Sequence, residues 1–209
     1  MADMATMLYQ GHGSYRFVCD DGTTVYVDPF AGTGYELPAD LILVTHEHFD
    51  HNSVDLMPRN EGCETIRAAD VHPSPEVYRS VESHGVTVTG VQAYNKNHPI
   101  DECVGMVLEL DGKTFLASGD TSTTDDMRSG KLAALRLDYA VFPADGYYNM
   151  DVAEASACAK LVDAAHSIPI HLVPIDDPSD PAQLFDAAKA SAFDAKGKIV
   201  LKPGDELTL

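Results

Sequence analysis

The chain has 209 residues, of which 44% are hydrophobic and 22% charged, and such values are typical of a globular protein with a single core. We therefore expect one domain over residues 1–209. The formal net charge of -19 excludes bulk affinity for polyanions, so neither nucleic acid nor an anionic membrane surface is expected as a partner.

The N-terminus lacks a basic patch followed by an apolar run, and no segment is apolar for long enough to cross a bilayer. These features predict a cytoplasmic location. The chain has 4 cysteines, which are widely spaced and form no Cys-x-x-Cys pair. They are typical of reduced, mostly buried thiols rather than of a disulfide framework.

The N-terminal half is predicted to consist mainly of strands. Short apolar runs between turn residues predict strands over residues 16–18, 23–27, 41–44 and 86–88. Between the first two runs, Asp20-Asp21-Gly22 is typical of a hairpin turn. Ser74-Pro75 predicts the start of a helix, because a capping residue precedes a proline, and Gly85 predicts its end.

The C-terminal half mixes strands with helices. Strands are predicted over residues 106–110, 114–117, 139–142, 168–170 and 199–201. Asp111-Gly112 indicates a hairpin between the first two of them. Asp151 and Glu154 resemble a capping box, so a helix should begin there and run to about Ala165, and Asp180-Pro181 predicts a last helix. Strands with helices between them indicate sheets with helices packed against them, in the α/β or α+β class.

The segment His46-x-His48-x-Asp50-His51 directly follows the apolar run 41–44. Imidazole nitrogens and carboxylate oxygens are the natural ligands of zinc, manganese and iron. Residues two apart on an extended chain point the same way, so His46 and His48 can chelate one ion. Asp50 and His51 follow where the chain turns and can reach a second ion. The segment therefore predicts a metal site.

Three later residues also stand where a predicted strand ends, and functional loops collect at such positions. They are His98 in Asn97-His98-Pro99, Asp120 in Gly119-Asp120-Thr121 and His171 at the end of Ile168-Pro169-Ile170. We expect them to complete the site. The histidines that match no motif are expected to be structural or on the surface: His72, His84 and His166.

Taken together, these motifs resemble those of the metallo-β-lactamase-fold superfamily. The likeness covers nearly the whole chain in order, and it is greatest to the small branch that includes L-ascorbate-6-phosphate-lactonase-like proteins. Gln10-Gly11-His12-Gly13-Ser14 resembles the GHxS start of that branch. The superfamily's five motifs are matched in turn by Asp28 in Val27-Asp28-Pro29, by His46 to His51, and by His98, Asp120 and His171.

The resemblance implies a four-layer αββα sandwich with the site along one edge of the two sheets. It implies two divalent ions, zinc first with manganese or iron as alternatives. The first ion would be held by His46, His48 and His98, and the second by Asp50, His51 and His171. Asp120 would bridge the ions, Asp50 would also steer the attacking hydroxide, and Asp28 would support a ligand histidine.

Three further residues are candidates for contact with substrate. His12 follows the first strand and is expected either to reach the pocket, for substrate binding or proton transfer, or to pack within a turn. Tyr147 and Tyr148 are expected either at the rim of the pocket or in exposed loop packing.

The predicted function is metal-dependent hydrolysis of a small ester-like substrate, a lactone or a phosphodiester, by a hydroxide between the metals. The sequence offers no Gly-x-Ser-x-Gly elbow and no cysteine beside a motif histidine, so a protein nucleophile is not expected. Because the chain has no insertion for a nucleic-acid clamp, a small molecule is the expected substrate, and a thioester also remains open.

Two alternatives remain. A mononuclear-iron enzyme resembling persulfide dioxygenases would keep the same second motif, whereas flavodiiron relatives carry a glutamate at the position of His48. A non-catalytic metal-binding module on the same fold is disfavoured, since every ligand position is filled.

Overall fold

The structure is a computed structural model and describes residues 4–175, 177, 180 and 183–209. Within these residues the strands are β1 (Thr6–Gly11), β2 (Ser14–Val18), β3 (Thr24–Val27), β4 (Ala39–Val44), β5 (Arg59–Arg67), β6 (Ser80–Ser83), β7 (Val86–Gln92), β8 (Val104–Leu110), β9 (Lys113–Ala117), β10 (Tyr139–Pro143), β11 (His166–Ile170) and β12 (Glu206–Thr208). The helices are α1 (Ala68–Val71), α2 (Asp125–Arg128), α3 (Lys131–Ala134), α4 (Val152–Val162) and α5 (Ala187–Ala192).

Two six-stranded sheets pack face to face, with strand orders β12-β1-β2-β3-β4-β5 and β11-β10-β9-β8-β7-β6. Alternate residues of each strand point inward, so both sheets contribute to one shared core. Tyr9, Phe17 and Leu43 enter this core from the first sheet, and Met106 and Phe115 enter it from the second. This is the sandwich of two sheets that was predicted.

The outer faces of the two sheets are covered differently. Helices α4 and α5 cover the second sheet, where Ala155, Cys158 and Phe193 pack on Phe142. The outer face of the first sheet is covered largely by loop residues such as Met57, and by no helix of comparable length in the described residues. No helix in the described part of the chain is long and apolar enough to cross a membrane.

Local sequence signals located several elements correctly. Strands β2 and β3 pair antiparallel, as do β8 and β9. Asp111 and Gly112 both have positive φ, as a two-residue hairpin turn requires. The backbone N–H of Glu154 donates to Asp151 Oδ1 at 2.8 Å and caps α4, which ends at Val162 rather than at Ala165. All four cysteines are free, and three of them are buried.

The helix predicted from Ser74-Pro75 to Gly85 is wrong. Residues 80–83 form strand β6, which pairs with β7 so that Val81 lies opposite Val88. Gly85 does not end a helix; with the preceding histidine, which also has positive φ, it forms the turn of this hairpin. Val81 serves cross-strand pairing instead, because the adjacent strand offers it a partner in Val88.

One prediction near the C-terminus also needs correction, and another lies outside the described residues. Residues 199–201 form no strand; the last strand is β12, which pairs with β1. Lys198 makes a single bridge to Ser167 and the Ile199 N–H donates to the Ser167 carbonyl, but the pairing with β11 goes no further in the described residues. Pro181 of the predicted Asp180-Pro181 helix start lies outside the described residues, and α5 begins later, at Ala187, with Asp186 as its cap. Strand β5 had no apolar signal, since most of its residues are exposed.

Strand directions explain where the functional loops meet. Parallel and antiparallel pairings give β1, β3, β4 and β5 one common direction in the first sheet. They likewise give β7, β9, β10 and β11 one common direction in the second. The carboxyl ends of each group lie at one edge of their sheet. The residues that follow these ends include His12, Asp28, His46, Asn95, Asp120, Asp145 and His171.

Candidate metal centre

The sequence-predicted ligands lie together at this edge in three overlapping groups. Within each group the donor atoms lie within 4.8 Å of one another. The groups are His46, His48 and His98; His12, Asp50, His51 and His171; and His46, His51 and Asp120. The arrangement brings together residues from five separate stretches of the chain, and their roles as ligands stay predictions.

Asp120 occupies the middle of the cluster. Its Oδ1 lies 3.4 Å from His51 Nε2, and its Oδ2 lies 3.3 Å from His98 Nε2 and 3.5 Å from His171 Nε2. Oδ2 thus faces His98, a predicted ligand of the first ion. Oδ1 faces His51 and Oδ2 also faces His171, and both of these histidines are predicted ligands of the second ion. This is the position that a carboxylate bridging two cations would need.

Several nitrogens of the cluster are buried without a hydrogen-bond partner. They are Nε2 of His46, of His51 and of His171. A buried polar atom left without a partner costs about 1–3 kcal/mol, so such atoms are rare in folded proteins. Nitrogen lone pairs that converge beside a carboxylate are the donor set that a divalent cation requires, and the residues present therefore fit a metal site.

The charge states of the cluster reinforce this fit. Burial alone would raise the pKa of Asp120, but His171 and His51 hold that pKa well below its usual range. Burial lowers the pKa of His46 well below its usual value, and charge on His51 acts in the same direction. Burial also opposes charge on His51, yet the carboxylates of Asp120 and Asp28 outweigh it and hold the pKa of His51 well above its usual value.

Asp28 fixes the orientation of His51. Its carboxylate accepts the Thr45 backbone N–H at 2.8 Å and the Thr45 hydroxyl at 2.7 Å, and Oδ2 lies 2.9 Å from His51 Nδ1. When His51 binds a metal, the proton that it keeps is therefore held on Nδ1, and Nε2, the nitrogen that faces Asp120, is the ligand atom. Asp28 adopts a left-handed backbone conformation with φ 45°, as do His12 and His171, so backbone strain collects at this edge.

The substitution Asp28→Asn is expected to lower metal affinity about 10- to 100-fold, because an amide N–H facing His51 would favour the wrong tautomer. Metal titration of the purified variant checks this result. Asp40→Asn is the matched control, since Asp40 also accepts a backbone N–H, that of Thr24, but lies away from the cluster. Equal affinity in the two variants would contradict the assignment.

Gly13 explains part of the GHxS start. A Cβ at this position would lie 2.7 Å from His51 Cε1, which is closer than real side chains approach. Any other residue would therefore push the His51 ring out of the cluster. The hydroxyl of the neighbouring Ser14 donates to the Asp28 carbonyl at 2.7 Å, so the motif supports the residue that orients His51.

Two polar residues were missed by the sequence analysis. Asp145 Oδ2 lies 3.2 Å from His171 Nδ1, an ion-pair contact whose geometry falls short of a regular hydrogen bond. Asn95 Oδ1 lies 2.8 Å from His98 Nδ1. Asp145 follows β10 and Asn95 follows β7, so the rule that functional residues follow strand ends could have found both.

A cavity of about 320 Å³ opens beside the cluster, and its lining includes Asp50, His98 and Asp120 with an apolar rim. Phe49 and Tyr148 belong to this rim, and both are exposed. Tyr147 is also exposed but does not line the cavity.

His12 is buried and does not line the cavity either. Its Nε2 lies 3.2 Å from Asp50 Oδ2, and its ring centroid lies 3.5 Å from that of His171. Burial, together with the nearby His171, lowers the pKa of His12 to about 4. The buried ring packs behind the cluster, and the part that His12 plays in the reaction stays a prediction. His72, His84 and His166 lie outside all three donor groups, as predicted.

Comparison with known proteins agrees with this fold. The family described as the beta-lactamase superfamily domain matches residues 6–171. A UPF0173 metal-dependent hydrolase of Thermococcus onnurineus is 29% identical over 99% of this chain and 100% of its own length. Igni18, a metallo hydrolase from Ignicoccus hospitalis, superposes with a TM-score of 0.71 at 20% identity over 99% of this chain and 98% of its own.

The same fold also carries other chemistry. CmlA, a diiron β-hydroxylase from Streptomyces venezuelae, superposes with a TM-score of 0.68 at 14% identity, covering 100% of this chain and 55% of its own. The sequence match extends from β1 to His171 and so includes every residue of the donor cluster. The chain belongs to the beta-lactamase superfamily, and it is a metal-dependent hydrolase of the metallo-β-lactamase fold.

Proposed function

We propose that the enzyme hydrolyses a small ester-like bond, a lactone or a phosphodiester, at a centre of two divalent ions. The observation that carries the proposal is the convergence of buried, unpartnered Nε2 atoms of His46, His51 and His171 beside Asp120. The complete donor set is too large for one tetrahedral ion, which favours two. Zinc suits these nitrogen and oxygen donors, and manganese and iron suit them as well.

The ligand assignment follows the three donor groups. His46, His48 and His98 would hold one ion, Asp50, His51 and His171 would hold the other, and Asp120 would bridge them. Bound ions of this kind lower the pKa of water toward neutrality and polarise the bond to be cleaved. No protein nucleophile is then required.

The chain's own residues would orient the reactants. Asp50 lines the cavity and is held by His12 Nε2 at 3.2 Å, so its carboxylate points at a fixed place beside the cluster. We assign to Asp50 the orientation of the attacking water. The His12 side chain keeps Asp50 in place from the buried side, which is a positioning role rather than contact with substrate.

The cavity supports a small substrate with an apolar portion. Its volume of about 320 Å³ suits a small molecule, and its rim offers Phe49, Tyr148 and Ile175 for apolar contact. Asn97 adds one amide for polar recognition. The net charge of -19 argues against a nucleic-acid substrate. Similarity to the L-ascorbate-6-phosphate-lactonase-like branch stays a prediction.

A redox enzyme is the competing proposal, because the diiron β-hydroxylase CmlA shares the fold. The two proposals differ in metal and in reaction. A hydrolase is expected to turn over without oxygen, whereas an iron oxygenase consumes it. A non-catalytic module is disfavoured because the donor groups are complete and a cavity gives access to Asp120.

The deciding experiment combines elemental analysis with a panel of chromogenic esters, lactones and phosphodiesters. We expect two ions per chain in metal-replete protein, and hydrolysis that does not depend on oxygen. His98→Ala should lose most of this activity, whereas His84→Ala should keep it, since His84 is exposed and outside the donor groups. A single iron per chain with oxygen consumption would favour the redox enzyme.

A further inference from the structure

The cavity beside the donor cluster is lined by two kinds of side chain. Its polar lining consists of predicted metal ligands, which are His48, Asp50, His98 and Asp120. Its apolar lining consists of Phe49, Tyr148 and Ile175, and Asn97 completes the set. A substrate has to place its reacting bond against the ligands, so the apolar side chains are left to contact the rest of the molecule.

Phe49 is the most prominent of these apolar side chains. It stands between the predicted ligands His48 and Asp50 and is 73% exposed, more than any other large apolar residue in the described part of the chain. A single exposed phenylalanine needs no explanation by itself. This ring, in contrast, lines the cavity beside the ligands, so an apolar group bound there would remove it from water.

The Phe49 ring rests on Phe30. The two rings meet edge to face, with centroids 5.6 Å apart and planes at 88°, which is an arrangement that aromatic pairs prefer. Phe30 in turn packs against the small buried cluster of Ala31, Ile175 and Leu184. Phe49 and Ile175 are therefore connected through Phe30, and this part of the lining is a supported apolar surface rather than a set of separate side chains.

The cavity offers no basic side chain to an anionic substrate. Its charged lining residues are Asp50 and Asp120, and no lysine or arginine among the described residues lines it. Lys96, the one basic residue next to a lining residue in the sequence, lines a second cavity with Asp151 and Glu154. Phosphate and carboxylate groups are usually recognised by arginine or lysine, and the net charge of -19 repels anions from the surface as a whole.

We propose that the substrate is an uncharged lactone or carboxylic ester whose apolar substituent packs against Phe49, Tyr148 and Ile175. The inference rests on the proposed two-metal function and narrows it, because a phosphodiester is negatively charged before the reaction begins and an ester is not. Phe49 is then a specificity-determining residue, and Phe30 is a positioning residue that acts through it.

A series of γ-lactones with alkyl side chains from methyl to hexyl tests the substrate class. Hydrolysis breaks the bond between the carbonyl carbon and the ring oxygen, water supplies the new oxygen, and the product acid releases a proton that an indicator dye detects. Each CH₂ group that is buried should raise kcat/KM about 3- to 4-fold until the cavity is full. A carboxylate at the end of the longest chain should lower kcat/KM about 10-fold relative to its methyl ester.

The contribution of Phe49 is measured as the ratio of kcat/KM for the hexyl lactone to that for the methyl lactone. Phe49→Ala should lower this ratio about 10-fold, because the longer chain loses its main apolar contact. Leu161→Ala is the matched control, since it removes an exposed apolar side chain of α4 outside the cavity and should leave the ratio unchanged. If elemental analysis shows that Phe49→Ala has lost metal, Tyr148→Ala at the same rim should lower the ratio instead.

Binding of alkyl-substituted cyclopentanones gives a measurement that does not depend on turnover. These ketones lack the ring oxygen of the lactones and are not hydrolysed. Isothermal titration calorimetry of the metal-loaded protein should show the same 3- to 4-fold increase in affinity with each CH₂ group, about as large as for the lactones, and a smaller increase in Phe49→Ala.

The possible results separate this inference from the proposed function. Lactone hydrolysis that does not depend on chain length, or a preference for the carboxylate-bearing lactone or for a phosphodiester, would overturn the inference and leave the two-metal hydrolase in place. If the ketones bind with the expected dependence on chain length but neither lactones nor esters are hydrolysed, the apolar binding surface stands and the proposed function fails.

Discussion

Replacement of Asp120 by alanine is expected to lower kcat/KM by roughly three orders of magnitude or more, since groups that stabilise developing charge in a closed site have effects of that size. Asp120 is buried at the centre of the cluster, within 3.5 Å of three histidines. No neutral side chain can hold two cations together in its place. The variant should also retain less metal, and steady-state kinetics with elemental analysis measure both effects.

Two controls separate this loss from general damage to the fold. Asp126→Asn changes another buried aspartate, which accepts from Lys131 and the Gln92 backbone N–H outside the cluster. Leu201→Ala removes a buried apolar side chain. Both variants should keep their metal and most of their turnover. If the Asp120 variant retains both as well, the bridging assignment is wrong.

Removal of the metal has the second large expected effect. A chelator should abolish turnover, and a divalent metal added in excess should restore it, because no serine, threonine, cysteine or lysine among the described residues lines the cavity. Metal at about 100 times its dissociation constant should stabilise the folded state by about 2.7 kcal/mol, which raises Tm by about 5–10 °C for a chain of this size. Turnover that persists in rigorously metal-free protein would refute the proposed function.

The stabilisation of the folded protein by bound metal should depend on pH in a defined direction. Burial opposes charge on His51 and on His171, but neighbouring carboxylates, Asp120 foremost, raise the pKa of both histidines in the metal-free protein. A raised pKa stabilises the folded protein below the unfolded value of about 6.5, and this contribution is lost as the pH rises through the folded value. The pKa of the Asp120 carboxyl is held well below its usual range, so this group does not contribute within that window.

Metal binding must displace those histidine protons, so affinity should rise as the pH increases above about 6.5. The difference in Tm between metal-loaded and metal-free protein should therefore widen in the same direction. Thermal unfolding of both forms across this range gives the measurement. A difference that stays constant would show that His51 and His171 carry no proton in the metal-free state.

Features that depend only on residues close together in the chain could be predicted from the sequence. Asp111-Gly112 specifies a hairpin because both residues tolerate positive φ, and Asp151 caps α4 because its side chain reaches a backbone N–H three residues later. The segment from His46 to Asp50 carries metal-type donors at a spacing that an extended chain turns to one side. Resemblance to a known family added the predicted ligands that lie far from this segment in the chain, which are His98, Asp120 and His171.

The way in which those motifs meet depends on long-range contacts between strands. His98, Asp120 and His171 come together because strands of one direction in two packed sheets bring their carboxyl ends to a common edge. No local pattern specifies which strands pair with each other. The same long-range pairing made residues 80–83 a strand, whereas residues 199–201 belong to no strand.

The contacts that orient the donors are equally non-local. Asp145 and Asn95 lie far apart in the chain, and Asn149 forms hydrogen bonds with both. The sequence could therefore name the donors from their chemistry. The structure was needed to show their orientation, because a tautomer is set by whichever acceptor the fold brings to the other ring nitrogen.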